Sequence, residues 1–181
     1  SNRSPPFKQP LTFGRNKTMF HESVFKMISP KYCTLMNHIR RCKGIVFVYT
    51  EFMFVGAYLI AMMLEENGYV RRGSDFPMLS NKARKGKSIG GYVLFDSSTP
   101  ESIQRWVNLI NHPQNKNGQH VKVIIGTRRI EQGISFRNVR QIHIMTPWFN
   151  MNRNKQIIGR GSRTFSHHDL PSAMRNVTVF Y

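Results

Sequence analysis

The sequence predicts an α/β fold, a parallel sheet flanked by helices, in a single domain with an N-terminal helical extension. Three observations support it. Short runs of β-branched and aromatic residues recur, led by Gly44-Ile-Val-Phe-Val-Tyr-Thr50; a run apolar at every position marks a strand buried on both faces, as in a parallel sheet. Helices, or loops long enough for crossovers, separate these runs. The length of 181 residues and the 40% hydrophobic content suit one packed core, whereas dividing the chain would leave two small ones.

Residues 1–18 hold three prolines and no apolar period; they are expected to be linker, with the domain over 19–181. The polar start carries no secretory signal, and Ser1-Asn2 reads as a remnant of cloning at the head of a longer protein's segment. Phe20, Val24, Phe25 and Ile28 share a helical face and predict a first helix over Phe20–Ile28. Ser29-Pro30 then starts a second helix, serine at the N-cap and proline at the first helical position. It presents Tyr32, Leu35, Met36 and Ile39 on one side and ends near Cys42-Lys43-Gly44. After the first strand, Val55 to Asn67 reads as an apolar helix closed by Gly68 in a left-handed cap. Asn81–Gly91, with four cations and three glycines, predicts a mobile loop. Tyr92–Phe95 is a second strand, and Thr99-Pro100-Glu101 opens a helix through Ile103, Trp106, Val107 and Ile110. Asn111–Gln119 reads as a polar loop. Val121–Ile125, Gln141–Met145 and Val177–Tyr181 complete a sheet of five expected strands. In such a sheet ligands meet the loops at the strands' C-terminal ends, which directs attention to the residues after Thr50, Ile125 and Met145.

Charge narrows the partner. Twenty-seven Lys+Arg against nine Asp+Glu leave a net +18, an excess that favours nucleic acid as a polyanionic partner. No apolar run reaches the ~18–20 residues that span a bilayer, and no basic amphipathic helix with an aromatic edge suggests a membrane surface. Cys33 and Cys42 are too few and too far apart for a zinc knuckle, and both are expected to be reduced thiols. No metal site is expected.

The segment that carries chemistry is Gln156-Ile-Ile-Gly-Arg-Gly-Ser-Arg163. As a helix it projects Gln156, Arg160 and Arg163 from one face at i, i+4 and i+7. Guanidinium groups grip phosphate oxygens bidentately, and glutamine positions a water or a phosphate oxygen. Gly159 and Gly161 cost helix stability with no packing gain evident in the sequence, which suggests that another surface approaches closely. A second segment, Ile124-Ile-Gly-Thr-Arg-Arg-Ile-Glu-Gln-Gly-Ile-Ser135, leaves a core strand at Gly126-Thr127. Thr127 can bond a phosphate or cap the next turn, Arg128 and Arg129 can add phosphate contacts, and Gly133 permits close backbone approach. Equally informative is what the chain lacks: no G-x-x-x-x-G-K-S/T occurs, and no Asp-Glu pair follows a strand to hold Mg²⁺. The arginines suit a γ-phosphate, and the rest of the nucleotide must be held by another domain.

In order, Gly44–Phe52, IIGTRRIEQGIS and QIIGRGSR resemble motifs IV, V and VI of superfamily 2 helicases. NVRQIHIMTPWFN, GSRTFSHHDLP and VTVFY extend the resemblance to the poxvirus-type group of large cytoplasmic DNA viruses. That group includes the nucleoside triphosphate phosphohydrolase and early transcription factor small subunit, with counterparts in African swine fever virus and giant viruses. The resemblance implies the second RecA-like domain of an ATP-dependent helicase or translocase. It implies that Arg163 and Arg160 face the γ-phosphate of ATP, Arg163 as the finger, with Gln156 coordinating ATP or water. Glu131, Gly133 and Gly159 become nucleotide-binding positions, and Thr127, Arg128, Thr50, Lys85 and Lys87 nucleic-acid contacts. ATP with Mg²⁺ would sit mainly on the preceding RecA-like domain. The expected partners are that domain, nucleic acid (DNA before RNA) and viral transcription proteins; the expected location is intracellular, in host cytoplasm and virion for a viral protein. The resemblance also implies that Thr127, Glu131 and Gly133 couple nucleotide state to the nucleic-acid strand; one departure stands in this motif V segment, where many relatives carry an aspartate after the glycine and this chain has Ile134-Ser135.

The competing reading is a catalytically silent nucleic-acid-binding or assembly module that retains the fold, which the charge supports equally. A small-molecule enzyme on a Rossmann-like sheet lacks its glycine fingerprint, since Thr50-Glu51-Phe52 follows the first strand. His167-His168-Asp169 reads as a turn rather than a metal cluster, and Trp106 as core. Trp148 and Phe149 are expected in core or interdomain packing, with base stacking as the rival role.

Overall fold

The computed structural model describes residues 24, 26, 27, 29–74, 76–79, 88–96, 100–130, 134–149 and 151–181. The expected linker, most of the helix expected over Phe20–Ile28, and Asn81–Lys87 of the basic loop lie outside them. Among the described residues a six-stranded parallel sheet runs in the order β2-β3-β4-β1-β5-β6.

Helix α1 (Pro30–Arg41) starts where proline's fixed φ suits the first turn; Ser29 occupies the N-cap, but its hydroxyl makes no capping bond. Strand β1 (Ile45–Tyr49) is buried at every residue. It alternates as a two-faced strand must: Val46 and Val48 join one core cluster, Ile45, Phe47 and Tyr49 the other. The first cluster packs Leu35, Met36 and Ile39 of α1 and Ile60, Met63 and Leu64 of α2 (Leu59–Glu66) onto the sheet. The second packs Trp106 and Ile110 of α3 (Pro100–Ile110) and Ile157 of α4 (Met151–Gly161) against the other face. The remaining strands are β2 (Tyr69–Arg71), β3 (Gly90–Leu94), β4 (Val123–Gly126), β5 (Val139–Ile144) and β6 (Thr178–Phe180).

Two sequence expectations are corrected. The helix expected over Val55–Asn67 begins as a π-helical turn, Met53–Tyr58, in which Ala57 N–H bonds Phe52 C=O five residues back at 2.9 Å. This wide turn seats Gly56 on the Thr50 side chain so closely that a Cβ would lie 2.3 Å from its hydroxyl oxygen. Its far end behaves as expected, with Gly68 at φ 92°. Second, the sheet has a strand, β2, that the sequence did not announce. At three residues, two of them half-buried, it carries too little alternation to read, and it pairs with Gly90–Tyr92 across a long intervening stretch. That pairing also makes Gly90 and Gly91 strand rather than loop. The polar stretch Asn111–Gln119 is a loop, as expected, and is organised around Asn115, which is fully buried. Its amide donates to Ile110 C=O (2.9 Å) and Val121 C=O (3.3 Å) and accepts from His120 and Val121 N–H (2.9 and 2.8 Å).

Cys33 and Cys42 are buried free thiols, and Trp106 lies in the core. No described helix is long and apolar enough to cross a membrane.

Candidate nucleotide and nucleic-acid site

Helix α4 follows the loop leaving β5, and Asn154 ties the two together. Its buried amide accepts from Trp148 N–H (3.3 Å) and donates to Trp148 C=O (3.0 Å). The Arg153 guanidinium lies over the Trp148 ring, 5.0 Å from its centroid, a cation–π contact. Arg153 also pairs with Glu51 at 2.7 Å, and Arg128 reaches the same carboxylate at 3.2 Å. Glu51 N–H donates to the Thr146 hydroxyl (2.8 Å). Glu51, through its carboxylate and its backbone N–H, therefore joins the strand ends of β1, β4 and β5.

Farther along α4, Arg160 donates to Ile134 C=O (3.2 Å), and its own carbonyl accepts from Phe136 N–H (2.7 Å). The helix is thus clamped to the segment leaving motif V. Phe47, Tyr49, Ile130, Arg153, Gln156, Ile157 and Arg160 line a recess of about 10 Å³. That is the space of about one water, so this recess encloses no nucleotide.

Gln156 and Arg160 lie on the helix as expected. Arg163 does not: α4 ends at Gly161, and Arg163 sits exposed in the turn beyond, its carbonyl accepting from Ser166 N–H at 3.0 Å. The two glycines separate in role. A Cβ on Gly159 would meet nothing within 4 Å, whereas one on Gly161 would come within 3.1 Å of Val139 and 3.2 Å of Ile142. Gly161 therefore has a packing reason that the sequence did not reveal. Thr50 and Thr127 are 1% and 2% exposed, so any contribution of theirs to a ligand passes through the loops they anchor. Arg128 is exposed. Glu131, Gly133, Lys85 and Lys87 lie outside the described residues, as does the Arg129 side chain.

Sequence reasoning missed Arg153 and Glu51. The signal for Arg153 was its spacing, seven residues before Arg160 and so two helical turns away on the same face; Glu51 gave only its place after β1. Core or interdomain packing was expected for Trp148 and Phe149; Phe149 is 89% exposed and so lies outside this domain's core. His167 is buried and bonded to Val139 C=O and the Ser166 hydroxyl, while exposed His168 pairs with Asp169 at 2.9 Å. The neighbouring histidines thus turn to different surroundings. Among the described residues no three His, Cys, Asp or Glu side chains gather as a metal site. A larger cavity of about 190 Å³ opens where α1 meets β5 and β6, lined in part by Lys31, His38, His143 and Phe180.

Comparison with known proteins decides the family. Residues 79–164 match the helicase conserved C-terminal domain. The chain carries that domain. The matched span takes in β3, β4 and β5 and the whole of α4 with its arginines. Relatives include a protein of Acanthamoeba polyphaga mimivirus named as an ATP-dependent RNA helicase, 32% identical over 84% of this chain and 25% of its own length. A protein of Invertebrate iridescent virus 3 named as a helicase is 34% identical over 78% of this chain and 14% of its own length. A termination factor NPH-I homolog of African swine fever virus is 25% identical over 88% and 26%. These matches agree with the resemblance to superfamily 2 proteins of large DNA viruses. This helicase C-terminal domain spans about a quarter or less of each of these relatives. Among solved structures, the C-terminal part of the Fun30 ATPase domain superposes with a TM-score of 0.56 at 11% identity, covering 82% of this chain and 40% of that one. The fold is RecA-like.

Proposed function

We propose that this helicase C-terminal domain is half of an ATP-driven motor on nucleic acid, supplying arginines to a nucleotide held mainly by a preceding RecA-like domain. The observation that carries the reading is the alignment of Gln156 and Arg160 along α4, both lining the recess beside β1, with exposed Arg163 in the turn just beyond the helix. The recess beside them is too small for a nucleotide, which fits a site completed by another surface. Open space at Gly159 leaves room for that surface. The residues suit phosphate rather than Mg²⁺, whose oxygen ligands would come from the partner domain.

In this reading Arg163 and Arg160 stabilise charge on the transferring phosphoryl group, and Gln156 orients the attacking water. The clamp from Arg160 to Ile134 and Phe136 would pass closure to the motif V segment, where Glu131 and Gly133 meet the nucleotide. Arg128, with Lys85 and Lys87, would take the nucleic-acid backbone, and Thr50 and Thr127 would set the loops. The relatives' names refer to RNA helicases and a termination factor; we favour single-strand tracking as the shared activity.

The test is ATP hydrolysis by the full-length protein. Arg163→Ala is expected to lower turnover by about 10³–10⁵-fold, the range for arginine fingers, and the isolated domain is expected to show none. Wild-type turnover in that variant would remove the finger assignment. A full-length protein that binds nucleic acid without hydrolysing ATP would favour the silent module.

A further inference from the structure

We propose that the rim joining the loops after β1 and β5 is a stacking platform for the bases of single-stranded nucleic acid, with Phe149 and Phe52 as its faces. The proposal rests on the nucleic-acid partner inferred above and adds how the strand is gripped. Phe149 is 89% exposed and Phe52 55%, so both rings have faces open to a ligand. Phe149 lies on Trp148 at 5.1 Å between ring centroids, with planes 28° apart. Trp148 is fixed on both its backbone groups by Asn154 and carries Arg153 on its ring. The stack is therefore pre-organised, and a base joining it would lose little protein freedom.

The two loops form one surface. Met145 N–H bonds Tyr49 C=O at 2.8 Å, Glu51 N–H bonds Thr146, and Arg153 bridges from α4 to Glu51. Phe52 is the next residue after that bridge. Charge selects the occupant. Lys31 binds Met145 C=O at 2.7 Å, and Arg128 and Arg153 pair with Glu51, so three cations and one carboxylate are held on the two loops that carry the aromatic rings. An apolar protein surface would leave that excess uncompensated. A single strand brings phosphates for the cations and unpaired π faces for the rings, whereas duplex bases are already stacked.

Full-length protein would be titrated with a labelled dT₂₀ oligonucleotide and with an abasic strand of equal length, which keeps the phosphates and lacks the bases. Phe149→Ala and Phe52→Ala are each expected to weaken dT₂₀ binding by about tenfold or more and to leave abasic binding unchanged. Phe149→Tyr is expected to retain wild-type affinity for dT₂₀. Equal loss on both strands, or no loss on dT₂₀, would overturn the platform. Loss of nucleic-acid-independent ATPase with dT₂₀ affinity intact would overturn it in favour of cover by the preceding domain. Wild-type protein that binds dT₂₀ and the abasic strand equally would overturn the platform alone; binding to neither would overturn the nucleic-acid reading with it.

Discussion

At the scale of single residues, His143 shows what burial does to a titratable group. Burial, reinforced by neighbouring His38, lowers its pKa from 6.5 to about 4; its ring is stacked on Phe180 at 4.4 Å. The unfolded chain takes up this proton as pH falls below about 6.5, while the folded chain refuses it until about 4. The stability that neutral His143 contributes is therefore complete above 6.5 and lost on the way down to 4, by about 3 kcal/mol. Urea midpoints are expected to fall across that window, and His143→Gln to flatten the fall. The glycines of α4 make a second residue-scale prediction. Gly159→Ala fills open space in a helix and should stabilise the isolated domain by about 0.5–1 kcal/mol, read as a raised melting temperature. Gly161→Ala meets Val139 and Ile142 and should yield less or destabilise. If another surface closes on Gly159, the same Gly159→Ala change will lower full-length ATPase turnover while raising stability.

Among elements, the end of α2 shows a polar group holding a chain segment in place. Glu65 is fully buried and accepts from Met78 N–H (2.9 Å), Leu79 N–H (2.7 Å) and the Tyr92 hydroxyl (2.8 Å). Burial, with the Glu65 charge beside it, pushes the Tyr92 phenol well above its ordinary pKa, so the tyrosine remains a donor. Glu65→Gln turns one acceptor into a donor facing a donor, and a buried group left unpaired costs about 1–3 kcal/mol. Denaturant unfolding should register that loss, and hydrogen exchange should quicken at Met78 and Leu79. A helix that reads as apolar thus conceals the carboxylate that tethers the chain after β2.

For the whole molecule, the net +18 is a statement about phosphate backbones, and salt tests it. Binding of the full-length protein to single-stranded DNA is expected to weaken roughly tenfold or more between about 50 and about 200 mM salt. Arg128→Ala should lessen the slope of that dependence by about one phosphate contact on every sequence alike. A salt-independent affinity would contradict an electrostatic grip. Helix α4 also belongs to this scale, because in the motor proposed above its arginines would act in hydrolysis only once another domain closed the recess beside them.

The sequence by itself determined the layered parallel sheet, because a run such as Ile45–Tyr49, apolar at every residue, can be buried only between two helical layers. It also determined the helix that carries Gln156 and Arg160 on one face, through their spacing, and the family resemblance, through the order of three motifs. Tertiary structure alone decided that Arg163 lies past the helix end, that Gly161 is an internal packing contact and that Phe149 faces outward. It alone assembled Glu51, Arg128, Arg153 and Trp148 into one rim. The reason is physical: periodicity reports which face of an element is buried, whereas the partners of a charge or an aromatic ring come from strands distant in the chain and adjacent in the sheet.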